Sequence, residues 1–488
     1  MMKPGLEFAL GTAPPSQLVD QTVLLQAAEA GPTVVVLDDD PTGTQTVTAL
    51  PILTRWEADD LRWAFEQGGT GFCILTNTRS LSVVDARARN ASVLEAVHAA
   101  AAGRLYVIIS RGDSTLRGHH VDEIDEACRT LARVGWGSVD AVLVVPAFPD
   151  AQRVTIDSIH WIFENGAWLP AGDSSFAGDA TFGYSSSDLR EFIAERSYGT
   201  LRADEVDRIT LDEVRGDPFE LVDAIASVSG GRHLVIDAAD ENDLRSIALA
   251  AMRAESRGRR LLYRTSPGLL RPRLAQLPQP PLSTTEVGAA VARAHPATKH
   301  GLVVVGSHVP LSSRQLGDLL AHDSSVREIM IDVPTLMRSP NPAAILARIV
   351  HYAVTVLADE DVVLSTSRER IDGVDGDDSL RIARVVSGAL VTVTREVLRR
   401  AQPAFLIGKG GITSSDLATA AVGLRRATIL GSLLPGMVSI WQSGDPSLDG
   451  VAATPYAVFP GNVGGDEALT QAVAAFRAGA NSIGYVSR

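Results

Sequence analysis

Short apolar runs recur along the chain, each followed by a polar turn and then by a longer stretch rich in Ala, Leu and Arg. Runs of about five apolar residues bounded by turn residues are typical of strands buried on both faces. Their alternation with helical patterns predicts parallel sheets and an α/β fold. The predicted strands are Thr33–Leu37, Gly71–Thr76, Leu105–Ser110, Ala141–Val145, His233–Ile236, Arg260–Tyr263, Leu302–Val305, Glu328–Ile331, Asp361–Leu364 and Ala404–Ile407.

The length of 488 residues exceeds what one hydrophobic core normally supports, so two domains are expected. Closely spaced prolines between residues 266 and 300 interrupt regular structure and predict a linker there. We therefore divide the chain into an N-terminal extension (1–30), a first domain (31–265), the linker (266–300) and a second domain (301–488). Each domain is predicted to be a mainly parallel sheet flanked by helices, with the active site in the interdomain cleft.

Composition excludes some classes of function. The net charge of -14 argues against a nucleic-acid-binding protein, which normally carries a basic face. No apolar run approaches the roughly 18 residues of a membrane span, and the N-terminus lacks the apolar core of a signal peptide. With only two cysteines, the sequence predicts a cytoplasmic protein without nucleic-acid or membrane partners. Homo-oligomerisation is left open.

The first candidate site follows the first two predicted strands. Three carboxylates, Asp38, Asp39 and Asp40, come directly after Thr33–Leu37, where ligands of open parallel sheets bind. One of them could act as a general base toward a substrate hydroxyl, although the same residues are also common in solvated turns. Arg79, after the second strand, could bind a carboxylate through its planar guanidinium group or lie on the surface.

A stronger signal lies in the segment from Ser110 to His119, which follows the third strand and precedes a predicted helix starting near Val121. It concentrates arginines, an aspartate and hydroxyl groups between glycines. Arginine suits a carboxylate, whereas aspartate and hydroxyl side chains suit alcohols, so the segment favours a polyhydroxy acid as ligand. The alternative is a capped loop without a ligand.

Three glycine-bearing turns in the second domain are candidates for nucleotide binding. They lie at Gly306-Ser307, Gly408–Asp416 and Gly461–Asp466, each between a strand and a predicted helix. Glycines let the backbone approach phosphates closely, and amides at such turns attract anions. The order of residues is not that of a Walker A motif. Taken together, the three turns indicate a nucleotide site.

These motifs resemble those of the four-carbon acid sugar kinase family, from about Val34 to Gly465 and in the same order. The Asp-Ser-Thr-Leu-Arg-Gly motif of the family is intact at Asp113–Gly118, and the family's acidic turn corresponds to Asp39–Gly43. Pro41 stands where the family usually has an aromatic residue, and Ile412 stands where it has an acid.

The resemblance implies an ATP- and Mg²⁺-dependent kinase acting on threonate, erythronate or an oxo-tetronate. The implied substrate-binding residues are Asp39, Arg79, Asp113, Ser114, Thr115, Leu116 and Arg117. The implied nucleotide-binding residues are Ser307, Gly410, Gly411, Ile412, Thr413, Ser414, Gly461, Asn462 and Gly464. Asp40 is the preferred catalytic base, ahead of Asp39 and Asp113, and no metal ligand is identified.

Two other functions remain open from the sequence. The acidic turn Asp38–Thr44 also fits a haloacid dehalogenase-like phosphatase, in which Asp38 would attack phosphorus and Asp40 would protonate the leaving group. The change at Ile412 leaves open a non-catalytic sensor of acid sugars.

Overall fold

A computed structural model describes residues 10–368, 376–443 and 453–483. The chain divides into two compact units, Met1–Pro278 and Gln279–Arg488, so the division falls within the segment predicted as a linker. Each unit contains a largely parallel sheet flanked by helices, which confirms the predicted α/β class. Within the described residues, no helix is both long and apolar enough to cross a bilayer.

The first unit is built on a parallel sheet with strand order β2-β3-β1-β4-β11-β5-β10-β9. Its central strands consist of apolar, mostly β-branched residues that are almost completely buried, as expected when helices cover both faces. The strands are β1 Thr33–Asp38, β2 Leu50–Leu53, β3 Gly71–Leu75, β4 Tyr106–Arg111, β5 Ala141–Val145, β9 Asp207–Ile209, β10 Arg232–Ile236 and β11 Leu261–Thr265.

Register aligns the carboxyl ends of the central strands of this sheet. Asp38, the last residue of β1, pairs with Leu75 of β3 on one side and with Arg111 of β4 on the other. Arg111 in turn pairs with Thr265 of β11. The polar segments that follow these strands therefore meet at one edge of the sheet.

Helices cover this sheet, and a small antiparallel sheet is added after β5. Several helices begin at a side-chain cap, such as Ser82 before α3 and Asp240 before α8. The helices are α1 Gln21–Ala30, α2 Ala58–Glu66, α3 Val83–Ala101, α4 His120–Val134, α5 Leu189–Arg196, α6 Leu211–Val214, α7 Pro218–Ser227, α8 Glu241–Ser256 and α9 Pro267–Arg273. The added strands are β6 Arg153–Ile156, β7 Ile159–Glu164 and β8 Ala167–Pro170, paired in that order.

The start of the predicted linker is part of the first unit. Residues Pro267–Arg273 form helix α9, every residue of which is buried. Pro267 occupies the first turn, where a missing N–H costs nothing, and Pro272 lies at the end of a helix of only seven residues. Pro267 and Pro272 are therefore compatible with a helix, whereas Pro278, Pro280 and Pro281 follow α9 in a stretch without regular secondary structure, as expected.

The second unit has strand order β13-β14-β12-β15-β18-β17-β16, parallel from β13 to β18 and antiparallel beyond. Its strands are β12 Leu302–Val305, β13 Val326–Ile331, β14 Asp361–Thr366, β15 Leu406–Lys409, β16 Arg426–Ser432, β17 Ser439–Gln442 and β18 Tyr456–Phe459. Its helices are α10 Thr284–Arg293, α11 Pro310–His322, α12 Val333–Arg338, α13 Pro342–Val356, α14 Gly376–Ala401, α15 Gly411–Asp416 and α16 Ala468–Ser482, and residues 417–422 continue α15 as a π-helical turn.

Register again aligns the strand ends that precede the glycine turns. Val305 of β12 pairs with Lys409 of β15, and Lys409 pairs with Phe459 of β18. The three glycine turns predicted from the sequence thus follow three adjacent parallel strands.

Candidate functional site

Arg111 is the buried centre of the polar cluster in the first unit. Its side chain is only 2% exposed, and its guanidinium group contacts the carboxylates of Asp38 and Asp39, the latter at 3.2 Å. It also donates to the backbone carbonyl of Asp40. Burial lowers the pKa of Arg111 to about 9, which leaves the guanidinium group protonated at neutral pH. Arg111 therefore holds the acidic turn in place.

Arg79 forms the second ion pair of this turn. Its Nε and Nη2 atoms donate to the two carboxylate oxygens of Asp39 at 3.1 and 2.7 Å, a bidentate geometry that fixes both groups. Its Nη1 atom lies 3.6 Å from Oδ2 of Asp40. Asp40 itself accepts from the Thr42 amide at 2.8 Å and so caps the short helical turn Pro41–Thr46.

A third ion pair supports the cluster from helix α4. Arg264, at the end of β11, donates to Glu123 at 2.6 Å and to the hydroxyl of Ser110 at 2.7 Å. Glu123 also accepts from Thr78 at 2.5 Å. Arg264 and Glu123 are almost fully buried, so the pair positions three strand ends relative to one another.

The Asp113–Gly118 segment is stabilised by its own side chains. Asp113 accepts from the Thr115 hydroxyl at 2.5 Å and from Nε of Arg117 at 2.7 Å. Leu116 is buried with φ of 66°, a left-handed conformation that costs a leucine about 1–3 kcal/mol. Such strain persists only where surrounding contacts enforce it, and it clusters at ligand sites.

The loop is also tied to the structure that follows β5. His160 of β7 forms a 2.8 Å hydrogen bond with the carbonyl of Ser114, and Tyr184 donates to the carbonyl of Thr115 at 2.9 Å. Burial lowers the pKa of His160 to about 4, so it is neutral at physiological pH. These two contacts fix the backbone of the segment that the sequence marks most strongly.

The carboxylates of the cluster differ in their protonation behaviour. Burial raises the pKa of Asp39 to about 7, against the opposing effect of Arg79. Burial acts in the same direction on Asp113, but Arg79, Arg117 and the Thr115 hydroxyl hold its pKa well below the usual range. Of these two, only Asp39 exchanges a proton near neutral pH.

The structure brings the predicted substrate residues together at one edge of the first sheet: Arg79 is near enough to Asp113 to lower its pKa, and a β carbon at Gly118 would lie 3.2 Å from Oδ2 of Asp39. Asp38 is the most buried of the three acids of its turn. Its carboxylate lies against Arg111, and within the described residues its Oδ2 has no hydrogen-bond partner. Asp39, which is 2% exposed, also contacts Arg111.

In the second unit the three glycine turns touch one another around Ser307. A β carbon at Gly410 would lie 2.9 Å from Cβ of Ser307, and one at Gly461 would lie 2.9 Å from its hydroxyl. Gly410 also has a φ of 112°. Ser312 donates to the Gly461 carbonyl at 2.9 Å and contacts the Ser307 hydroxyl at 3.0 Å. The glycines thus allow a closer approach of the three turns than larger residues would permit.

The remaining predicted nucleotide residues surround this contact. Gly411, Ile412, Thr413 and Ser414 form the first turn of α15, where Ile412 is 64% exposed and Ser414 is buried. Ser414 donates to the Gly408 carbonyl at 2.7 Å, so its hydroxyl serves the turn itself. Asn462 is exposed, and Gly464 has a φ of 82°.

The side chain of Lys409 is not exposed at the glycine turns. It is fully buried, its Nζ donates to the Pro460 carbonyl at 2.6 Å, and it lies 3.8 Å from the centre of the Phe459 ring. Burial lowers the pKa of Lys409 to about 7. Its contacts join the turns after β15 and β18, rather than presenting a charge to a ligand.

Arg368 was missed in the sequence analysis. It follows β14, the neighbour of β12, and donates to the Ser307 carbonyl at 2.6 Å and to the Ser313 hydroxyl at 2.7 Å. Its Nη1 is buried and has no hydrogen-bond partner within the described residues. An arginine that follows a predicted strand does not by itself indicate a ligand site, and only the fold shows its contact with a glycine turn.

The described residues contain no group of three or more His, Cys, Asp or Glu side chains arranged to hold a metal ion. Mg²⁺ in nucleotide sites is commonly bound through one or two carboxylates and the phosphates, so the turns do not need such a group to accept a Mg²⁺-nucleotide.

Family models match most of the chain. A model described as a sugar-binding N-terminal domain matches residues 34–273, and one described as a nucleotide-binding C-terminal domain matches residues 302–469. A comparison with curated proteins found no match.

Solved structures share the fold. A Salmonella typhimurium LT2 protein with a provisional tRNA synthase name superposes with a TM-score of 0.64 at 15% identity, over 90% of this chain and 98% of that one. A Haemophilus influenzae protein of the DUF1537 family superposes with a TM-score of 0.59 at 14% identity, over 91% of this chain and all of that one (100%). With a sugar-binding and a nucleotide-binding domain in this order, the chain belongs to the four-carbon acid sugar kinase family.

Proposed function

We propose that this protein is an ATP-dependent kinase that phosphorylates a hydroxyl group of a small acid sugar, such as threonate, erythronate or an oxo-tetronate. The carrying observation is the cluster of ionised groups at the carboxyl edge of the first sheet, where Asp39 pairs with Arg79 and Asp113 pairs with Arg117. Arg79 is also near enough to Asp113 to lower its pKa. Burying ionised groups costs free energy, and clusters of such groups are frequent at active sites.

The donor site of the proposal is the group of glycine turns around Ser307. The close approach of the turns after β12, β15 and β18 gathers backbone amides and hydroxyl groups, which suit phosphate oxygens. Arg368 adds a guanidinium group beside Ser307. Mg²⁺ bound with the nucleotide would neutralise charge on its phosphates.

The acceptor site of the proposal needs a group that takes the proton of the attacking hydroxyl. A general base works best with a pKa near the working pH. Asp39 meets this condition better than Asp113, whose pKa is held low. We therefore place Asp39 first, ahead of Asp40, which caps its own turn, and of Asp113.

Two substitutions test the division of roles between the units. Arg117→Ala removes the guanidinium group paired with Asp113 and should abolish acid-sugar affinity while ATP affinity is kept. Gly411→Asp places a negative charge in the first turn of α15 and should have the reverse effect. Calorimetric titration of each variant with ATP and with each tetronate measures both affinities. Unchanged affinities in both variants would contradict the assignment.

Turnover separates the kinase from its alternatives. Incubation of the wild-type protein with ATP, Mg²⁺ and a tetronate panel should produce ADP only in the presence of an acceptor. Release of phosphate from a sugar phosphate would support the phosphatase, and binding without turnover would support the sensor.

A further inference from the structure

The arginines expected to bind the substrate carboxylate are already paired with carboxylates of the protein. Arg79 forms its bidentate pair with Asp39, and Arg117 donates to Asp113 at 2.7 Å. Arg111 and Arg264 are held by other acids of the cluster. An incoming carboxylate would have to compete with these pairs.

Arg153 differs from these four arginines. It begins β6, immediately after the turn that follows β5, and Phe148 pairs with it across that turn. Within the described residues no carboxylate lies at ion-pair distance from its guanidinium group. Its Nη1 donates to the Ala151 carbonyl, and its buried Nε has no hydrogen-bond partner in the part of the chain that the structure describes. A buried donor left unsatisfied is costly, and an oxygen atom of a ligand at this position would satisfy it.

The position of Arg153 connects it to the substrate segment. Its hairpin, β6–β7, carries His160, which bonds the Ser114 carbonyl at 2.8 Å. Asp113 and Arg117 are near enough to influence its pKa, which burial lowers. The residue is half-buried, so part of it is exposed to solvent.

We propose that Arg153 binds the carboxylate of the acid sugar. The inference rests on the proposed function in that it takes an acid sugar as the ligand. Arginine is suited to this task because its planar group donates two parallel hydrogen bonds to one carboxylate. Arg79 and Arg117 then shape the site and orient Asp39 and Asp113.

The test compares acids with their uncharged analogues. Threonate and erythronate differ from threitol and erythritol only by a carboxylate in place of a CH₂OH group. Calorimetric titration without ATP should show that Arg153→Ala weakens acid binding by about 10- to 100-fold, the effect of losing a charged hydrogen bond. Binding of the polyols should change less than about twofold, and Arg153→Lys should give an intermediate loss for the acids because lysine keeps the charge but not the planar group.

Arg259→Ala is the matched control. Arg259 is also half-buried, and its buried Nε has no partner among the residues that the structure describes, but it precedes β11 and so lies at the opposite edge of the sheet. It should bind acids like the wild type. Circular dichroism and thermal melting verify that each variant is folded.

Each outcome of the titrations decides the assignment. Equal weakening of acids and polyols by Arg153→Ala, or unchanged acid binding, would overturn it, as would a wild-type protein that binds no tetronate. Arg153-dependent tetronate binding without any phosphoryl transfer would refute the kinase and keep the assignment of Arg153.

Discussion

Gly43 lies so close to Arg111 that a β carbon at residue 43 would overlap the Cζ, Nε and Nη2 atoms of the guanidinium group. The same guanidinium group contacts Asp38 and Asp39. Glycine is therefore required in the acidic turn because the space of a side chain is taken by the cation that neutralises it.

Gly43→Ala should displace Arg111 from its carboxylates. Breaking a buried ion pair costs on the order of 3–5 kcal/mol, and we expect a loss of this size in the free energy of unfolding, measured in urea. Gly317→Ala is the control, because Gly317 lies in α11 with nothing within 4 Å of the added carbon. It should leave stability unchanged or raise it by up to about 1 kcal/mol. Equal unfolding midpoints for the two variants would contradict the packing described for Arg111.

Glu123→Ala should destabilise the first unit. The substitution leaves Arg264 charged, buried and without its carboxylate, and it removes the acceptor of Thr78. The expected loss is about 3–5 kcal/mol in urea unfolding. Glu95→Ala, which removes a pair with Arg133 that is about half exposed, should cost less than about 1 kcal/mol. A loss below 1 kcal/mol for both would show that the pair of Arg264 and Glu123 does not support the cluster.

The pH dependence of turnover should identify the base. Because burial raises the pKa of Asp39 to about 7, kcat/KM should rise as pH increases through 7, where its carboxylate becomes ionised. If Asp113 were the base, its lowered pKa would leave the rate flat across this range. Asp39→Asn should abolish turnover, and a variant that keeps both turnover and the rise near pH 7 would exclude Asp39.

The raised pKa of Asp39 also predicts how the free energy of unfolding depends on pH. Asp39 keeps a proton in the folded state up to about pH 7, whereas in the unfolded chain it loses that proton near its ordinary pKa of about 4. Its contribution to stability is therefore complete below about pH 4 and is lost as pH rises to 7. Unfolding in urea at several pH values, with Asp39→Asn as reference, measures this contribution. A contribution that grew with pH would contradict the raised pKa.

Gly410→Ala should weaken nucleotide binding. An alanine there adopts an unfavourable positive φ and presses against Ser307, so the turns after β12 and β15 must separate. We expect at least a tenfold loss of ATP affinity in calorimetric titration, with tetronate affinity unchanged. Gly423→Ala shares the positive φ, at 73°, but meets nothing within 4 Å, so it should lose about 1–2 kcal/mol of stability and no ATP affinity. Equal ATP affinities in the two variants would exclude a role for the contact at Ser307.

Arg368→Ala should reduce ATP affinity by about tenfold, the effect of losing one charge-assisted hydrogen bond. The reason for this expectation is that Nη2 of Arg368 donates to the Ser307 carbonyl, while its buried Nη1 has no hydrogen-bond partner within the described ranges. Arg327→Ala, which breaks an exposed pair with Glu360, serves as the control and should bind ATP normally. Unchanged affinity in Arg368→Ala would remove this residue from the donor site.

The sequence predicts the parallel sheets well because their strands are short apolar runs with polar residues at the carboxyl ends. It also marks Asp113–Gly118, since a dense local motif needs no knowledge of distant contacts. Several strands escaped prediction, namely β2, β9, β16, β17, β18 and the antiparallel β6–β8. The strands β6–β8 mix polar and apolar residues without a clean run.

Contacts between residues that are distant in sequence could not be predicted. Glu123 and Arg264 are separated by 141 positions and look like ordinary helix and strand residues until the fold joins them. Arg153 and Arg368 lie outside the motifs that the sequence marks. The burial of Lys409 was equally beyond prediction, because a lysine in a glycine turn resembles a phosphate ligand whichever way its side chain points.

The most direct test of the account follows the phosphoryl group itself. Wild-type protein incubated with ATP, Mg²⁺ and each tetronate should, by phosphorus NMR, lose the γ-phosphate signal of ATP and gain a phosphomonoester signal on the acid sugar. Asp39→Asn should give neither change. Loss of the γ-phosphate signal with the appearance of inorganic phosphate alone, or no loss with any acid of the panel, would contradict the proposed kinase.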